Sequence, residues 1–208
     1  MTEQEIREII NRCRYADVRG ELLALRNIPD SLRENNELLL AQLQREICNI
    51  CKREITLNQL QPLLDEIRRD FQDLENMPIE DWQHEERRNR CIELYEFVRD
   101  YIRRNWHIRR PGLKLVSSII ASVLGNMPII TQSMVRALHD RGYLRCVNCT
   151  SFRRIFEAIA TFIRENQEHI DMIFLAVADL LPNCSNIALI TLILWHLGSI
   201  IYQNRERR

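Results

Sequence analysis

An all-α fold is predicted by three observations. Apolar residues recur at spacings of three and four through most of the chain, and no segment shows the strict alternation of a strand. Glycine (five) and proline (six) are scarce across 208 residues, so long helices with short connections fit better than many tight turns. The third is the stretch from residue 170 to 202, IDMIFLAVADLLPNCSNIALITLILWHLGSIIY, where only Asp171 and Asp179 carry charge and Pro182-Asn183 interrupts the apolar pattern. This pair of apolar segments reads as the surface on which the other helices pack.

Taken in order, Ile6, Ile9, Ile10 and Cys13 form one face of a helix over residues 2–14, with Thr2 and Glu5 as a capping box. A short helix follows from Val18 to Leu25, ended by the Pro29 turn. Leu32 to about Arg53 reads as a long helix with Leu39, Leu43, Ile47 and Ile50 on one face. Thr56 opens another, carrying Leu60, Leu63, Leu64, Ile67, Phe71 and Leu74, with the regular part expected to start at Pro62. Met77-Pro78 breaks it. Ile79 to Trp106 then reads as a single charged helix whose apolar face is Trp82, Cys91, Leu94, Tyr95, Val98, Tyr101 and Ile102.

Arg103 to Gly112, RRNWHIRRPG, marks the expected boundary. Residues 1–110 hold 22 acidic and 19 basic residues, residues 111–208 only 7 and 10. The reading is therefore a charged amphipathic helical region over 1–110 and an apolar helical core over 111–208, packed as one unit. Beyond the boundary come helices over 113–124, 131–139 and 151–165, an irregular connection over 143–150, and the two apolar segments, with Pro182 ending one and Asn183 or Ser185 capping the next. About ten helices result. IIASVLGNMP and FLAVADLLPN share an apolar helix followed by an Asn/Pro turn, so a compact multi-helix bundle and a short HEAT-like helical array both remain open.

Composition narrows the function classes. Twenty-seven of the 29 basic residues are arginine. A GC-rich genome gives that bias, as does a need for planar bidentate contacts, or avoidance of lysine modification in a viral or host-interacting protein. The first residues are charged and lack the apolar core of a signal peptide, which points to cytoplasm or nucleus and reduced thiols. The phosphate-cradling glycine loop, H-E-x-x-H and G-x-S-x-G are absent, and the five histidines are dispersed, so no enzyme activity and no cofactor is expected.

Three constellations stand out. Cys48, Cys51, Cys146 and Cys149 form two C-x-x-C pairs, and with His139 as a substitute ligand they have the donor types of a structural zinc site, although the pairs lie far apart in sequence. Arg99, Arg103, Arg104, Arg109 and Arg110, interleaved with Trp106, resemble a surface that holds RNA or single-stranded DNA by phosphate contacts and stacking. Arg141, Arg145, Arg153 and Arg154 form a second basic group. Finally Leu189, Leu192, Ile193, Leu194 and Trp195 are core or interface, since apolar positions run around most of that segment. Its 16-residue apolar run is short for a membrane span, which needs about 20. The expected function is a non-enzymatic protein-interaction module, as adaptor, regulator or self-assembling subunit. Nucleic-acid binding and a membrane-tethered regulator are the alternatives.

Overall fold

The computed structural model describes residues 1–15, 36–75, 77–124, 127–179 and 189–198. All regular structure among them is helical: α1 (Glu3–Tyr15), α2 (Asn36–Cys51), α3 (Leu57–Asp70), α4 (Glu85–Asn105), α5 (Leu113–Leu124), α6 (Gln132–Asp140), α7 (Phe152–Glu165), α8 (Gln167–Val177) and α9 (189–198). The helix expected over 18–25 and the Pro182 turn with its Asn183 or Ser185 cap lie outside the described residues.

The chain forms two compact units, one of Met1–Leu25 with Ile130–Arg208, the other of Arg26–Ile129. The division thus falls at residues 25 and 129, not at the compositional step near 110. The reason is packing: α5, apolar like the segments after it, lies against α2, α3 and α4.

In the 26–129 unit, α3 starts where Thr56 N donates to Gln59 Oε1 at 3.0 Å and runs unbroken from Leu57 through the exposed Pro62. Proline in the second turn removes a single helix donor. Leu60, Leu63, Leu64 and Ile67 are fully buried beneath it. The helix expected over 79–106 is divided. Residues Ile79–Gln83 form a 3-10 turn after Pro78, and α4 begins after His84, whose backbone is extended. Arg88 bridges the break by donating to the Trp82 and Gln83 carbonyls. The expected apolar face is otherwise in place, with Trp82, Cys91, Leu94, Tyr95, Val98 and Ile102 buried and Tyr101 half-buried. Helix α5 is buried on every side from Leu115 to Leu124, and Ser117 returns its hydroxyl to the Leu113 carbonyl at 2.7 Å.

In the other unit the capping box at the start of α1 is closed. Thr2 N donates to Glu5 Oε2 at 2.8 Å, and Glu5 N to Thr2 Oγ1 at 3.2 Å. Ile6, Ile9 and Cys13 are buried, and α1 packs on α8. Helix α7 has two faces: Ile155, Phe156, Ile159, Phe162 and Ile163 inward, Arg154, Glu157, Thr161 and Glu165 outward.

The two apolar segments differ. Leu189, Leu192, Ile193 and Leu194 of α9 are core, at 0–1% exposure, and Trp195 is half-buried. Helix α8 buries Ile170, Ile173 and Val177 but leaves Met172 56% and Leu175 83% exposed. It is therefore an amphipathic cover, not the second half of a central pair. No helix among the described residues is long and apolar enough to cross a membrane.

Candidate functional site

A cleft of about 710 Å³ opens between the 141–149 connection and the outward face of α7. That size is in the range of binding pockets. Helix α6 ends in a Schellman closure. Gly142, at φ +82°, donates to the His139 carbonyl and Tyr143 N to the Leu138 carbonyl, both at 2.9 Å. Glycine takes this left-handed conformation without a Cβ penalty. The reversal throws Tyr143, Leu144, Arg145 and Cys146 across α7. Gln132 Nε2 holds the loop from behind by donating to the Val147 carbonyl at 2.9 Å. Ser151 Oγ then accepts from Arg154 N and starts α7.

The far wall is a stripe of α7 at helical spacing: Arg154, Glu157, Ala158, Thr161 and Glu165. Tyr143 closes one end. Its hydroxyl donates to Glu165 Oε2 at 2.9 Å and accepts from Asn166 Nδ2 at 3.3 Å, and its ring meets Phe162 edge-on at 5.7 Å. Burial and the Glu165 carboxylate together hold the phenol above its usual range. At neutral pH Tyr143 is thus a neutral donor with a fixed position.

Three guanidinium groups line the cleft, and they are not equivalent. Arg141 is mostly buried and paired with Glu5 of α1. Arg145 and Arg154 are exposed, and neither side chain has a hydrogen bond or ion pair among the described residues. The Glu157 carboxylate is likewise unengaged. The cleft therefore presents two available planar cations beside one available anion, with a fixed phenol and two thiols.

The expected arginine–aromatic surface is arranged differently. Asp100 gathers three of its members. Arg99 Nε donates to Asp100 Oδ1 at 3.1 Å, Arg103 Nη1 lies 3.6 Å from the same oxygen, and Arg104 Nε donates to the Asp100 carbonyl at 3.2 Å. Arg109 and Arg110 are exposed. Trp106 is not a stacking platform: it is 4% exposed, and its Nε1 donates to the Gln59 carbonyl at 3.2 Å. The ring extends the buried line of Leu94, Val98 and Ile102 by one more step of four.

The five candidate zinc ligands are divided between the units, Cys48 and Cys51 in one, His139, Cys146 and Cys149 in the other. Among the described residues no group of three or more His, Cys, Asp or Glu side chains is close enough to hold a metal. Each has a local engagement instead, apart from Cys146. Cys48 Sγ accepts from Ile55 N at 3.3 Å, and Cys51 and Cys149 point their thiols at the carbonyls of Arg53 and Ser151. His139 Nδ1 lies 3.0 Å from Asp140 Oδ1.

The second basic group was legible as a charge cluster, but the cleft itself was not. It depends on the Schellman closure at Gly142, whose sequence signal is Asp140-Arg141-Gly142 after a helical run. Compared with known protein families, curated proteins and solved structures, the chain matches none of them.

Proposed function

We propose that this chain is a non-enzymatic protein-interaction module that takes an acidic segment of a partner protein into the cleft beside α7. The observation that carries the reading is the pair Arg145 and Arg154, exposed on that cleft and unengaged, while Arg141 is already neutralised by Glu5. Guanidinium recognises carboxylate bidentately, and such charge-assisted bonds are among the strong ones. Glu157 and Glu165 on the same wall argue against a uniform polyanion. A nucleic-acid backbone would bring phosphates against both, whereas a peptide can place acidic, polar and basic groups in turn.

The test is anisotropy of a labelled Asp/Glu-rich peptide with the full chain at low salt, with a neutral peptide as control. Binding should weaken as salt rises. Arg145→Glu and Arg154→Glu should each weaken it by about tenfold or more, from the loss of a charge-assisted bond. Glu157→Gln should strengthen it. Absence of binding to the acidic peptide, or tighter binding of single-stranded RNA that Arg109→Glu removes, would overturn the reading.

A further inference from the structure

We infer that Cys146 and Cys149 form a reversible intramolecular disulfide, a modification site that the other thiols of the described residues do not share. The inference stands apart from what the cleft binds.

The backbone has already closed the ring. Cys149 N donates to the Cys146 carbonyl at 3.2 Å, which makes residues 146–149 a hydrogen-bonded turn. Such turns hold their end Cα atoms within about 7 Å, and disulfides span about 4.4–6.8 Å. The two cysteines differ in the way a two-step oxidation uses. Cys146 is exposed and carries no hydrogen bond among the described residues. Cys149 is half-buried, and its thiol makes only a long contact, 3.9 Å, to the Ser151 carbonyl. The first reacts with an oxidant arriving from solvent; the second is held beside it to resolve the product.

The oxidant class is a peroxide. Cys146 Sγ, as thiolate, attacks one peroxide oxygen and the O–O bond breaks. The departing oxygen leaves as hydroxide or alkoxide and takes up the proton released by the thiol, so that Cys146 becomes a sulfenic acid. Cys149 Sγ then attacks Cys146 Sγ, the S–O bond breaks, and hydroxide leaves with the Cys149 proton as water. Two electrons pass to the peroxide, and one S–S bond replaces two S–H bonds. A dithiol reductant reverses the step by exchange.

The other C-x-x-C pair is an internal control. Cys48 Sγ is the acceptor for Ile55 N at 3.3 Å and lies 3.8 Å from the Ile55 carbonyl. Ile55 is 3% exposed, so moving that sulfur strands a buried N–H. Cys91 is fully buried, and burial pushes its thiol up to about 12, which leaves it unreactive near neutral pH.

The experiment treats the reduced full chain with hydrogen peroxide for increasing times, blocks remaining thiols and maps tryptic peptides. Cleavage at Arg145 and Arg153 isolates residues 146–153, and cleavage at Arg45 and Lys52 isolates 46–52. Peptide 146–153 should lose its two thiol hydrogens at least about tenfold faster than 46–52, as exposure controls the rate. In Cys149→Ser, dimedone should trap a sulfenic acid on Cys146. Equal rates in the two pairs, or cross-linking of Cys146 to a second chain in place of Cys149, would overturn the site. No dimedone adduct in Cys149→Ser would overturn Cys146 as the attacked thiol.

Discussion

Helices α8 and α9 come from one apolar stretch and end in opposite environments. Along α9, Leu189, Ile190, Leu192, Ile193, Leu194 and Leu197 point to all sides and every one is buried. Along α8, Ile170, Ile173 and Val177 share one face, while Met172 and Leu175 on the other face meet solvent. Apolar content is similar; what differs is how many sides have a neighbour. A run of apolar residues therefore states what a helix can bury, and only packing partners decide what it does bury.

The largest expected effect breaks α9. Leu192→Asp or Leu194→Asp places an unpaired carboxylate at a fully buried site, and should cost on the order of 4 kcal/mol in denaturant unfolding and leave the protein insoluble. The same change at Met172 or Leu175 should stay within about 0.5 kcal/mol, as for other exposed positions. If Leu175→Asp proved as damaging as Leu192→Asp, the contrast between the helices would be wrong.

Next comes His196, on the buried helix. Both ring nitrogens lack a hydrogen-bond partner among the described residues. Burial first, and the charge of Arg12 second, push its pKa down to about 4 from 6.5. The fold thus favours the neutral ring. Its contribution is fully present above pH 6.5 and is lost as pH falls from 6.5 through 4, because the unfolded chain takes the proton first. The total is about 3 kcal/mol. Comparing unfolding of wild type and His196→Leu between pH 7.5 and 4 (values on the order of the pKa window) should show the variant losing less stability with acid.

Gly198 sharpens the same comparison. A Cβ built there would lie 2.2 Å from the Ser133 carbonyl oxygen, a backbone atom of α6 that cannot rotate away. Gly198→Ala should cost about 2 kcal/mol through overpacking, even though alanine is the better helix former. The smallest effect belongs to the other unit. Trp106→Phe keeps the buried ring and loses the bond to Gln59, for about 1 kcal/mol. Thermal unfolding resolves both.

Local signals were readable in the sequence because they act within one turn of helix. Thr2 with Glu5, Thr131 and Ser151 start helices where their side chains predict. The apolar steps of three and four named most of the buried side chains in both units. What escaped depends on contacts between distant positions. Arg141 is neutralised by Glu5 across 136 residues, and no local pattern announces that pair. Trp106 shows a different failure. Its neighbours in sequence are arginines, which suggested stacking, whereas its neighbours at four-residue steps are Ile102 and Val98, and these decided its burial. The C-x-x-C pairs had ligand chemistry in common but were divided between two packing units.

That division has a consequence for how the chain is made. The 26–129 unit is contiguous and can collapse as it leaves the ribosome. The other unit is not: α1 is synthesised early, but α8, on which it packs, follows about 150 residues later. At ~5–20 residues per second, α1 waits roughly 8 to 30 s for its partner. Throughout that delay Ile6, Ile9 and Cys13 have nothing to pack against in their own unit. The nascent chain therefore carries a sticky amphipathic helix at its leading end, a natural target for a chaperone that holds short apolar segments during translation.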